Sequence, residues 1–168
     1  MHKKTNRITA FFFIILFFTI IAPEPGACFS DTVLDVNFQP VATDKPFRRA
    51  VSLVPTITEI ICAFGAQGAL KGITYHDTDL APDNEIAIVG GFSAPSLNAI
   101  ASLEPDIIFI SDMHLAVEER FAGSHTPVLF LETSTLDKSF ETIHQLGLLF
   151  GKEQQAAGLI ENIRAELD

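Results

Sequence analysis

Residues 50–75 read AVSLVPTITEIICAFGAQGALKGITY. The apolar run from Ala50 to Val54 halts at Pro55 and fits a short strand. Thr56-Ile57-Thr58-Glu59 has the spacing of a capping box, which places Thr56 at the N-cap of a helix. That helix is expected to run to Phe64, with Gly65 placed to end it. Leu70 to Tyr75 is a second apolar run and a second strand. A strand, a helix and a strand in so short a stretch point to an α/β arrangement.

The same alternation continues outward. HDTDLAPDNE (76–85) is polar and turn-forming, hence a loop. Ile86 to Val89 reads as a third strand, broken by Gly90-Gly91. Ser96 can cap a helix through Leu103, which Pro105 stops. Asp106 to Ser111 is an unbroken apolar run, as expected of a strand covered on both faces. A helix over Leu115 to Ala122, a buried strand over Pro127 to Leu131, and helices over Leu136 to Phe150 and Glu153 to Leu167 follow. The expected fold class is α/β, a largely parallel sheet flanked by helices. Residues 31–47 carry two prolines and little periodicity, and read as a linker or an edge segment.

Composition narrows the function. The chain has 168 residues, 48% of them hydrophobic, and a formal net charge of −10. Such apolar content is not that of a disordered acidic chain. The acidity argues against a nucleic-acid partner, because no basic patch is available to displace counterions from phosphates. Residues 1–30 read as a signal peptide: Lys3, Lys4 and Arg7, then the uncharged run Ile8 to Ala22, then small residues near Gly26, Ala27 and Ser30. The run is shorter than the about 20 residues a membrane span needs. The expected location is therefore the periplasm or the outer face of the cytoplasmic membrane. Cys28 follows Pro-Gly-Ala and is a candidate lipidation site, although Pro25 stands where lipoprotein signals carry Leu or a similar residue. Cys62 is expected to be a small buried hydrophobe. An exported location also permits a Cys28–Cys62 disulfide.

There is no phosphate loop, no G-x-G-x-x-G, no G-x-S-x-G and no H-E-x-x-H. The densest polar cluster is Tyr75-His76-Asp77-Thr78-Asp79, where a strand gives way to a loop. Ligands of open parallel sheets bind at such strand ends. Three readings stay open: a plain turn capped by Asp77 and Asp79, a contact with an organic or metal-chelate ligand, and a direct metal site. His114, near Ser111 and Asp112, sits at another strand end. His125 and His144 read as structural or exposed. Nothing favours a catalytic triad, and no cofactor is expected. The rival reading from another class is an exported α/β enzyme or metal-handling domain built on His76, Asp77, Asp79 and His114.

Three segments together, residues 50–75, then VGGFSAPSLNAIASLEPDIIFIS (89–111), then PVLFLETSTLDKSFETIHQLGLLFGKEQQAAGLI (127–160), carry a family pattern. The pattern is S-L-x-P-x-x-T-E, then V-G-G-F, then L-x-P-D before an apolar strand. In this the chain, from Arg48 to Asp168, resembles the periplasmic solute-binding proteins of ABC importers for vitamin B12, siderophores and haem. The resemblance implies two α/β lobes joined by one long helix, with ligand held between them. Residues 48–151 then correspond to the N-terminal lobe and 152–168 to the start of the interlobe helix, so that the chain looks like one lobe of a two-lobed protein. It implies a small-molecule metal chelate as ligand and an inner-membrane ABC permease as partner, with a second lobe or a homodimer completing the cleft. By position it assigns ligand contact to Tyr75, His76, Asp77, Phe92, Ser93 and His114, with Gly91, Asp112 and Met113 on the same rim. Two departures stand out. Haem-binding members with a tyrosine iron ligand carry Tyr after V-G, where this chain has Gly91; Tyr75 or His76 would have to serve instead. The glutamate that pairs with a permease arginine is replaced by Asn98, and Glu104 is not at the same position.

Overall fold

The computed structural model describes residues 29–80 and 86–167. Of the residues read as a signal peptide only Phe29 and Ser30 lie inside that range, Phe29 stacking on His144 with ring centroids 5.2 Å apart; residues 1–28 and both readings of Cys28 lie outside it. Five strands form one sheet: β1 (Ala50–Ser52), β2 (Leu70–Ile73), β3 (Ala87–Ile88), β4 (Ile107–Ile110) and β5 (Val128–Phe130). Their order is β3-β2-β1-β4-β5 and every pairing is parallel. The helices are α1 (Pro55–Ala63), α2 (Leu97–Ser102), α3 (Leu115–Phe121), α4 (Leu136–Phe150) and α5 (Glu153–Leu167). The α/β class with a parallel sheet is thus as the sequence pattern predicts.

Strand alternation divides the core. Ala50, Leu70, Ile107, Phe109 and Leu129 pack with Ile57 and Ile61 of α1, Phe140, Ile143 and Leu146 of α4, and Ala156 and Ile160 of α5. Val51, Ile108, Ile110 and Val128 face the other way, onto Ile100 of α2 and Val117 and Phe121 of α3. All four residues of β4 are buried, which is why its sequence is apolar without alternation. Each such side chain contributes about 1.5–3 kcal/mol relative to exposure.

Three local readings are revised. The helix expected to start after Thr56 starts at Pro55, with Val54 at the N-cap and no side-chain cap. Proline has its φ preset for the first helical position and needs no donor there, so it outcompetes the threonine. Thr58, one turn in, donates its hydroxyl to Ser52 Oγ at 2.9 Å instead. The loop after β2 begins as a 3-10 turn, Tyr75–Leu80. The strand read as buried over Pro127 to Leu131 lies at the sheet edge, and its Phe130 is half-exposed. The expected cap of α2 is present, Ser96 Oγ accepting from the Ala99 N–H at 3.3 Å.

Residues 31–47 run along the β5 edge. Val33 is fully buried, Leu34 and Pro40 form an antiparallel bridge, and the Val36 N–H donates to the Val128 carbonyl at 2.9 Å. Asp106, the last residue of the L-x-P-D pattern, accepts from the backbone N–H groups of Arg48 and Arg49 at 2.8 and 2.9 Å. The Arg49 guanidinium donates back to the carbonyls of Leu103 and Glu104. This clamp sets β1 beside β4.

Candidate functional site

The strand order reverses between β1 and β4. Loops leaving the carboxyl ends on either side of that point diverge and leave a crevice. Three loops, those following β2, β3 and β4, carry the residues that the resemblance assigns to ligand contact.

The loop after β2 divides its residues by burial. Tyr75 and His76 are exposed, with ring centroids 4.6 Å apart. Asp77, the next residue, is buried and accepts the Thr74 hydroxyl at 2.8 Å. Burial raises its pKa above the ordinary carboxylate value; the Thr74 hydrogen bond works against that, and the Glu59 carboxylate adds to it. Cys62 on α1 is half-buried, and burial and the Asp77 charge push its thiol up. Asp77 therefore turns inward toward α1 while its neighbours point to solvent. Asp79 is exposed.

The loops after β3 and β4 are joined through His114, which is 2% exposed. Its Nδ1 accepts from the Ser111 N–H at 2.9 Å and lies 3.1 Å from Ser111 Oγ. With that lone pair engaged, Nε2 carries the proton and donates it to the Phe92 carbonyl. The Phe92 ring meets the imidazole edge-on, centroids 5.1 Å apart. Both ring nitrogens are thus committed to backbone groups, and His114 positions Phe92. Ser93, Asp112 and Met113 are exposed around it, and Asn98 is exposed in the first turn of α2.

The Tyr75 N–H donates to the Gly90 carbonyl at 3.0 Å, tying the β2 loop to the β3 loop. The Tyr75 phenol covers Gly91, where an added Cβ would meet its hydroxyl oxygen at 2.5 Å. Tyr75, His76, Phe92 and Ser93 consequently form the accessible part of the rim: two aromatic faces, an imidazole and a hydroxyl. Among the described residues, no three His, Cys, Asp or Glu side chains gather as a metal-binding group. The four residues of the rival reading are split accordingly, His76 and Asp79 outward, Asp77 and His114 inward. The pattern missed the inward role of Asp77 and the structural role of Asp106. The placement of Asp77 two residues past the exposed Tyr75 gives no local signal of either.

Comparison with known proteins fits this geometry. Residues 51–168 match the family model described as periplasmic binding protein. An uncharacterized ABC transporter substrate-binding lipoprotein, YvrC of Bacillus subtilis, is 24% identical over 151 residues, 87% of this chain and 48% of that protein. The petrobactin-binding protein YclQ of Bacillus subtilis superposes with a TM-score of 0.69 at 19% identity, over 80% of this chain and 50% of that one. The periplasmic haem-binding protein HutB of Vibrio cholerae superposes with a TM-score of 0.60 at 24% identity, over 70% and 46%. The chain spans about half the length of these relatives. With the family model matched over most of the chain and a parallel sheet whose strand ends form the rim, the chain belongs to the periplasmic binding protein family.

Proposed function

We propose that this chain is the N-terminal lobe of the substrate-binding component of an ABC importer and captures an iron or cobalt chelate. The observation that carries the reading is the paired aromatic rim, Tyr75 with His76 on one loop and Phe92 on the next, held open at the carboxyl ends of a parallel sheet. Aromatic faces with a few polar tips suit a large organic chelate better than a bare ion. Siderophore and haem recognition by structural neighbours supports an iron chelate, and a cobalamin-type ligand has the same demands. In this reading residues 1–30 direct export, residues 48–151 form the lobe, and α5 begins the connection to a second lobe. One lobe supplies part of the contact area, so binding by this chain alone is weak, and a second lobe or a second copy strengthens it.

The chain has one Tyr and no Trp, so emission excited beyond the phenylalanine absorption band reports Tyr75 alone. Titration with a ferric catecholate siderophore, haemin and cyanocobalamin is expected to quench that emission saturably for one class. Absorbance of the chelate provides the second readout. Failure of all three to bind by either readout overturns the reading. For docking, Asn98→Glu restores a carboxylate at the exposed start of α2 and is expected to increase permease binding. No gain counts against transport.

A further inference from the structure

The rim carries acids with no balancing base. From Gly72 to Glu119 the chain contains no lysine or arginine, and that span includes the loops after β2, β3 and β4. Asp79 on the β2 loop and Asp112 on the β4 loop are exposed, and neither is in an ion pair among the described residues. Past Ser111 and Asp112 the same face continues into a groove of about 390 Å³ at the carboxyl ends of β4 and β5. Asp35 and Glu118 join its lining, which has no Lys, Arg or His.

The cations of the described residues are placed elsewhere. Lys45, Arg48 and Arg49 precede β1, and the Lys71 amine donates to the Gly68 carbonyl at 2.9 Å, so these lie toward the amino ends of the parallel strands. Arg120 stands in the last turn of α3, over the Phe121 ring, and Lys152 in the turn between α4 and α5. The remaining two are engaged: Lys138 pairs with Glu141 at 3.0 Å, and Arg164 covers the Phe140 ring at 4.9 Å. An exposed charge acts over about 8–10 Å at moderate ionic strength. Asp112 is two residues from His114, which holds Phe92, so its charge bears on an occupant of the rim.

Charge therefore selects among chelates, because a face of one sign repels a ligand of that sign. We infer that the Tyr75–Phe92 rim takes a chelate without net negative charge. Hydroxamate groups, each a monoanion, together neutralise ferric iron, and cyanocobalamin is uncharged overall. Catecholates, each a dianion, and the carboxylates of haem leave an anionic complex. The inference rests on the rim being a chelate site and names the charge class that site accepts. It concerns this lobe's own face, whatever completes the cleft.

The test holds shape nearly constant and varies charge: ferrioxamine B, a cationic ferric trihydroxamate, with its uncharged N-acetyl and anionic N-succinyl derivatives. Binding to the full chain is read by equilibrium dialysis and chelate absorbance at about pH 8, where an ordinary imidazole is neutral. At low salt the cation is expected to bind about tenfold or more tighter than the anion, with the uncharged form between, and the spread to narrow as salt is raised. Among the catecholate, haemin and cyanocobalamin, uncharged cyanocobalamin is the one expected to bind. Asp112→Asn is expected to narrow the cation-to-anion ratio about threefold. A ratio is insensitive to lost active protein, so misfolding does not imitate that result. An anion that binds as tightly as the cation, saturable binding of haemin or the catecholate in preference to cyanocobalamin, or an unchanged ratio in Asp112→Asn overturns the charge selection and leaves the chelate reading standing. No binding by any chelate overturns that reading, and this inference with it.

Discussion

Tyr75 covers Gly91 so closely that a Cβ at position 91 would lie 2.5 Å from the phenol oxygen and 2.6 Å from the ring. The glycine is what lets the tyrosine lie across the rim. Gly91→Ala is expected to push Tyr75 aside and weaken chelate binding about tenfold, a loss near 1.4 kcal/mol. Because Tyr75 is exposed, the urea midpoint should hardly move. Unchanged chelate affinity in this variant would remove Tyr75 from the ligand surface.

His114 holds two loops through backbone groups, so its removal is a stability experiment. His114→Ala leaves the Ser111 N–H and the Phe92 carbonyl without their partner. A cost of about 2–4 kcal/mol is expected in urea unfolding, from unsatisfied polar groups and lost packing. A change within about 0.5 kcal/mol, the range of ordinary surface substitutions, would mean that the loops do not depend on it.

The pH dependence follows from Asp77. Its folded pKa is raised, so the folded state binds the proton more readily than the unfolded state does. The stability it contributes is present in acid and is lost as pH rises through the folded pKa. Asp77→Asn removes that loss. The variant is expected to be the more stable at neutral pH, with the advantage fading as pH falls through the raised folded pKa and gone below the ordinary carboxylate value. Urea midpoints across an acid-to-neutral series would show it, and a variant less stable at neutral pH would reverse the sign.

The α4–α5 contact depends on a small residue. A Cβ on Gly147 would lie 2.7 Å from the Ala156 Cβ. Gly147→Ala is expected to cost about 1–3 kcal/mol through overpacking. Adding Ala156→Gly should recover part of that loss, read as a coupling in a double-mutant cycle. Strict additivity would show that the helices adjust without strain.

Much of the fold is legible locally. The all-apolar β4, the Ser96 cap and the Leu136–Phe150 periodicity each declare an element through neighbours within a few residues. The start of α1 was misread because two local signals compete and proline at the first position prevails. Phe130 looked buried because a three-residue apolar strand reads the same at the edge as at the centre.

The α/β class and the order of the elements are written in the sequence itself, because hydrophobic period and turn residues act over short range. Tertiary structure alone decided which rim residues face out. Tyr75 and Asp77 stand two apart, yet one lies across Gly91 and the other turns in toward α1. His114 is spent on a carbonyl 22 residues away, and Asp106 on amides 57 and 58 residues away. Side-chain direction in a loop is set by such distant partners, and no local periodicity encodes them.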